Sequence, residues 1–177
     1  MANFVYVDNS NVWIEGMRVS AVERGLAPDI ATSFEYKIVD RDYRMDFGRL
    51  HEFAGGADIG SAVLYGSRPP ANDTLWGIAK AKGFEVVVMD RNVANREKKI
   101  DTTILRDIMK DSYERMKPGD EVTLVAGDSD YVPAAEDLKA RGFRFDVAFW
   151  NHASRELQAI CSKFISLNPY LEHLRLR

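Results

Sequence analysis

Four aspartates at the ends of apolar runs are the residues of this chain best suited to chemistry. Asp128 and Asp130 follow Thr123-Leu124-Val125-Ala126-Gly127, Asp8 ends Phe4-Val5-Tyr6-Val7, and Asp101 opens a segment of helical spacing after Lys98-Lys99-Ile100. An aspartate after a strand is also a common cap or turn residue, so any one of them alone reads as structural. Acids arriving from three distant stretches point instead to one shared site. Crowded carboxylates repel one another and raise at least one pKa unless cations neutralise them. All-oxygen ligands suit Mg²⁺ or Mn²⁺, and the lack of clustered His and Cys argues against zinc. A pair of such ions would acidify a water and stabilise the attacking and leaving oxygens of a phosphodiester. Asn9, Ser10, Asn11 and Ser129 are short polar residues able to hold the carboxylates or their waters in place.

Cations that could meet phosphates lie close by in the chain. The stretch Arg91-Asn92-Val93-Ala94-Asn95-Arg96-Glu97-Lys98-Lys99 leads into Asp101, and Arg68 follows the apolar run ending at Tyr65. Lys98 and Lys99 adjoin the acid directly, while Arg91 and Arg96 read equally well as a solvated loop. Tyr65, Tyr131 and Trp150 near strand ends could stack on unpaired bases, although such residues are more often core or rim. Trp13 and Trp76 fall on apolar helix faces and read as packing. His51, His152 and His173 share no ligand spacing, Cys161 reads as a small buried residue, and Asp107, Asp111 and Asp137 read as solvated helix positions.

The elements that must position the acids are legible as an alternation. Short apolar runs at Asn3 to Val7, Gly60 to Tyr65, Phe84 to Met89, Glu121 to Ala126 and Phe143 to Phe149 read as five strands. Between them, Leu75-Ile78-Ala79, Ile100-Ile104-Ile108 and Val132-Ala135-Leu138 carry helical spacing. Nearly continuous apolar strands alternating with helices predict a mainly parallel sheet with helices on both faces. Asn72-Asp73-Thr74 and Ser129 or Asp130 offer helix caps, and Gly83 and Gly142 offer stops. Residues from about 24 to 44 are irregular and read as an insertion, either an edge hairpin or a loop over the site. Arg175-Leu176-Arg177 reads as a short tail. In an open parallel sheet, ligands bind outside the carboxyl ends of the strands, where Asp8 and Asp128 fall.

At 177 residues the chain is expected to form one domain, residues 1–177, with a single core. Hydrophobic residues make up 46% and the net charge is −3, so nucleic acid would have to be held locally and not by a basic face. One cysteine excludes an internal disulfide and fits a reducing cytoplasm. No apolar run is long enough to span a bilayer, and the start runs straight into a strand without an apolar leader.

These residues resemble the NYN domains of the wider PIN-like nuclease group, including the LabA-like bacterial proteins. The resemblance rests on Val7-Asp8-Asn9-Ser10-Asn11-Val12, Tyr65-Gly66-Ser67, Lys99-Ile100-Asp101 and Gly127-Asp128-Ser129-Asp130-Tyr131-Val132-Pro133 followed by Gly142. It implies a Rossmann-like three-layer α/β fold and a Mg²⁺ or Mn²⁺ site that cleaves RNA phosphodiester bonds. Position by position, it implies that Asp8, Asp101, Asp128 and Asp130 bind metal and that Asn11 and Ser129 are polar site residues. An acid from an early helix is often found in such nucleases, and Glu15 and Asp46 are the candidates here. The 24–44 segment is longer than a compact domain of this type needs.

Competing readings fit less well. A metal-dependent adhesion site of the von Willebrand A type has a hydroxyl where this chain has Val12, and does not need Asp128-Ser129-Asp130. A haloacid-dehalogenase-like phosphatase needs a second acid where this chain has Ser10. The remaining alternative is an NYN module that binds RNA or a protein partner without cutting. The primary expectation is a metal-dependent endonuclease acting on single-stranded RNA, with Lys98, Lys99, Arg68 and Arg96 on the phosphates and a homodimer as a compatible assembly.

Overall fold

The computed structural model describes residues 1–67, 74–89 and 96–177, with the backbone alone for residues 96–98. Its centre is a six-stranded sheet made of β1 (Asn3–Asp8), β2 (Ile59–Ser67), β3 (Glu85–Met89), β4 (Glu121–Val125), β5 (Arg144–Phe149) and β6 (Lys163–Ser166). Every neighbouring pair is parallel, and the order is β3-β2-β1-β4-β5-β6. The chain therefore builds outward from β1 to β3, returns to the middle, and builds outward again from β4. This reversal opens a crevice between the carboxyl ends of β1 and β4, where open α/β sheets place their ligands. All six residues of β1 are buried, as expected of a strand covered on both faces.

Helices α1 (Asn9–Glu23), α2 (Ile30–Glu35), α3 (Phe47–Gly55), α4 (Thr74–Ala81), α5 (Arg96–Glu114), α6 (Val132–Ala140), α7 (Arg155–Ile160) and α8 (Leu171–Leu174) complete the layers. On one face α3 packs against α4 and α8; on the other α6 packs against α5 and α7. Right-handed crossovers dictate this split, because the reversal of strand order at β4 carries α5 to the opposite face. The core threads through the sheet, with Val5, Val7, Leu64, Leu124, Phe145 and Val147 in one apolar cluster. Gly83 and Gly142 follow α4 and α6 with φ of 105° and 86°, the left-handed stop that glycine adopts without strain.

Three details depart from the sequence expectations. The sheet has six strands and not five. The sixth is four residues long, lies at the edge and is only partly buried, so its apolar signal, Phe164-Ile165 between Lys163 and Ser166, is too short to stand out. The 24–44 segment is neither a hairpin nor a loop across the site. It holds α2, capped by Asp29, and is strapped to α1 by Asp40, which is 2% exposed. Asp40 accepts from Ser20 Oγ (2.6 Å) and Arg24 Nη1 (3.0 Å), and Arg175 Nη1 lies 3.6 Å away. Burial alone would raise the Asp40 pKa, but these donors hold it below the usual carboxylate range. The third departure follows: Arg175 is not a loose tail, since Arg175 also donates to Ser20 Oγ and pairs with Met45 in an antiparallel bridge.

Candidate metal centre

Each acid of the site is delivered by a different element. Asp8 is the last residue of β1 and the N-cap of α1, accepting from the Asn11 backbone N–H at 3.1 Å. Asp128 follows β4 by three residues at the head of a 3₁₀ turn, Ser129–Tyr131. Asp101 sits in the second turn of α5, beside Ile100 and Ile104 of its buried stripe. One carboxylate oxygen from each of Asp8, Asp101 and Asp128 lies within 4.8 Å of the others. Asp8 and Asp101 are buried, whereas Asp128 is exposed, so solvent reaches the cluster at Asp128.

The supports around this cluster are specific. Asn11 Oδ1 accepts from Gly127 N–H (3.1 Å), tying the start of α1 to the end of β4. Gly127 O accepts from Ser154 N (2.8 Å), adding the loop after β5. A Cβ on Gly127 would lie 2.3 Å from two ring carbons of Phe149, so the close approach of β4 and β5 here requires glycine. Gly127→Ala is expected to destabilise the protein by about 2–3 kcal/mol, read as a lower urea midpoint with an unchanged slope. Tyr131, fully buried, donates its hydroxyl to Asp101 Oδ1 at 3.0 Å. Burial and the neighbouring charges of Asp8 and Asp101 drive the Tyr131 phenol far above its ordinary pKa, so it remains a donor.

Electrostatic strain concentrates on Asp8. Its pKa is raised to about 7, chiefly by burial, with the charges of Asp101 and Asp128 adding to the rise and the Asn11 N–H opposing it. A cation is the natural relief for such a group. The donor set, three carboxylates without sulfur or imidazole, fits a hard divalent ion such as Mg²⁺ or Mn²⁺. Asn9, next to Asp8, adds a buried Oδ1 with no hydrogen-bond partner among the described residues.

Residues 7–168 match the family model described as the NYN domain. The chain belongs to the NYN domain family. NYN domains are PIN-like, which suggests a nuclease and, with it, a nucleic-acid substrate and a divalent metal. The comparison with curated proteins returned no match. No helix among the described residues is long and apolar enough to cross a membrane.

Other residues singled out in the sequence of this NYN domain fall in varied places. Asp130 and Ser129 are exposed in the 3₁₀ turn, and Asp130 is not among the three gathered acids. Neither residue caps α6, whose N-cap is Tyr131 and has no side-chain cap bond. Lys99 is exposed, while Arg68 and the side chains of Arg96 and Lys98 lie outside the described residues, as do Asn72 and Asp73. Glu15 bonds His152 Nε2 at 2.8 Å and Asp46 caps α3, so neither early acid joins the cluster. Tyr65, Tyr131 and Trp150 are at most 1% exposed and offer no stacking face. Trp76 packs in the core and Trp13 sits edge-on to Phe47.

Asp107 and Asp111 are not solvated helix positions. Asp111 is buried and accepts from Tyr6 OH at 2.6 Å, and Asp107 accepts from Tyr65 OH at 2.9 Å. With Tyr131 and Asp101 they form three tyrosine–aspartate bonds that fix α5 against the sheet, and with it the depth at which Asp101 enters the site. The signal was present: Asp107 and Asp111 are spaced by four on the flank of the Ile100-Ile104-Ile108 stripe.

Proposed function

We propose that this protein is a divalent-metal-dependent endonuclease that hydrolyses phosphodiester bonds of single-stranded RNA. The observation that carries the proposal is the convergence of Asp8, Asp101 and Asp128, from three separated segments, at the crevice where strand order reverses. RNA is the substrate that the family resemblance implies. Asp8, Asp101 and Asp128 would hold Mg²⁺ or Mn²⁺, and Asp130, two residues further on, would approach it from the solvent side. The ion would supply charge neutralisation at the phosphate and a more acidic water.

The chain's own groups do the positioning. Asn11 fixes the Asp8 and Asp128 segments relative to each other, and Tyr131 orients the Asp101 carboxylate. Asp8 deprotonates as the cation binds, because its proton is held mainly by burial and two neighbouring charges. Lys99, exposed one turn before Thr103 on α5, together with Arg68, Arg96 and Lys98, would engage backbone phosphates. Water then adds to phosphorus while the bond to the leaving alcohol oxygen breaks.

Purified protein, labelled single-stranded RNA and Mn²⁺ or Mg²⁺ test this, with a DNA strand of the same sequence alongside. Asp128→Asn is expected to slow cleavage by about a hundredfold or more, and EDTA to abolish it. Equal cleavage by the wild-type and Asp128→Asn proteins would overturn the site assignment. RNA binding without cutting under any metal would favour the alternative of a silent regulatory module.

A further inference from the structure

A cleft of about 220 Å³ lies between α1, α2 and the loops that follow β5 and β6. Its walls differ sharply in chemistry. Val19 and Ile30 give it an apolar side, and Glu23, Asn151, His152 and Asn168 give it a polar one. No lysine or arginine among the described residues lines it, so a phosphate finds no counter-charge from them there. The volume falls below the roughly 300–1,000 Å³ typical of drug-sized sites and suits one planar ring system.

The polar groups are preset. Asn151 Oδ1 accepts from Ser166 Oγ (2.5 Å) and Asn168 Oδ1 from Asn151 N (2.8 Å), which leaves both Nδ2 amides as free donors among the described residues. Glu23 is exposed and has no ion-pair partner among those residues, leaving its carboxylate as a free acceptor. The His152 ring is held in place: Nε2 bonds Glu15 at 2.8 Å, and the ring makes T-shaped contacts with Phe34 and Phe149 at centroid distances of 5.5 and 6.2 Å. A fixed aromatic plane, two amide donors and a carboxylate acceptor are the means by which proteins hold an unstacked base.

The cleft also lies on the side of the sheet where the acids gather. Its loops leave the sheet at the same carboxyl edge as the acidic cluster, and Ser154, two residues after His152, bonds Gly127 beside Asp128. Helix α1 begins at Asp8 and brings Val19 about 16 Å further along its axis, a few nucleotides of an unstacked strand. Tyr65, Tyr131 and Trp150 are buried, so bases must be met elsewhere.

We propose that this cleft receives one extruded base of the single strand, and that guanine fits it best. This rests on the nucleic-acid reading of the acidic site. The Glu23 carboxylate can accept from both N1–H and N2–H₂ of guanine, while the Asn151 and Asn168 amides donate to O6 and N7; other bases offer the carboxylate a single donor position.

Fluorescence anisotropy in EDTA, with short oligoadenylates carrying one guanine at successive positions, tests it. A guanine at one position is expected to tighten binding about tenfold over oligoadenylate alone. Glu23→Gln, a surface change that leaves the fold intact, should reduce that advantage to about twofold or less without altering the affinity for oligoadenylate. Ile30→Trp, which fills the cleft, should do the same, with its melting temperature confirming a folded protein. A flat response to guanine position, or a preference that survives both variants, overturns the proposal. Free guanosine that binds saturably while strand guanine has no effect would make this a nucleoside site and also overturn it. Cleavage with no base preference sinks the cleft and leaves the nuclease reading standing; a Glu23-dependent preference without cleavage does the reverse.

Discussion

Asp8→Asn is expected to reduce RNA cleavage about a thousandfold and, in the same protein, to raise the melting temperature of the metal-free form at pH 8. The two effects share one cause. Asp8 is a carboxylate 5% exposed, placed where Asp101 and Asp128 each bring an oxygen within 4.8 Å. Above pH 7 its ionised form is held there against burial and two like charges. Asparagine removes the charge with little change of volume and keeps an oxygen able to accept from Asn11 N–H, so the helix cap survives. On the proposed reading the cation would lose its most buried anionic ligand, and with it several kcal/mol of transition-state stabilisation. The checks are cleavage rates under saturating Mn²⁺ and melting curves in EDTA. Lost activity accompanied by lost stability would mean that Asp8 serves mainly as a structural cap.

How far the sequence revealed this site depends on which kind of signal each residue leaves. Asp8 and Asp128 end apolar runs, and such runs mark strand ends directly, so the pattern alone puts both on one edge of a parallel sheet. Asp101 was harder to place, because a position on a helix says nothing about where that helix docks. Its docking depends on the Tyr6–Asp111, Tyr65–Asp107 and Tyr131–Asp101 bonds, each joining residues at least 30 positions apart. No local pattern encodes such pairs, which is also why Asp107 and Asp111 read as solvated. The strap formed by Asp40, Arg24 and Arg175 was hidden for the same reason, since it joins the irregular segment to the chain's last residues. Asp130 leaves a weaker signal: its spacing sets it beside Asp128, and the 3₁₀ turn holds it exposed, outside the trio of gathered oxygens.

Metal-free protein should lose stability as the pH rises from about 4 to 8, the reverse of ordinary acid denaturation. The sign follows from Asp8, whose pKa is about 7 folded against 3.8 unfolded. Between those values the folded state keeps a proton that the unfolded chain has released, so raising the pH favours unfolding. The contribution is complete below pH 3.8 and gone above pH 7. It amounts to a few kcal/mol, or a fall of roughly 5–10 °C in melting temperature for a chain of this size. The carboxylates with lowered pKa values, Asp29, Asp40 and Asp120, act in the opposite sense but only as the pH falls through their depressed values, outside this window. A divalent cation binds the ionised form, so saturating Mn²⁺ should remove the decline and produce its largest rise in melting temperature above pH 7. Asp8→Asn should flatten the metal-free profile between pH 5 and 8. A wild-type profile that rises through this range, or one that Asp8→Asn leaves unchanged, would show that the buried carboxylate is not the group holding the proton.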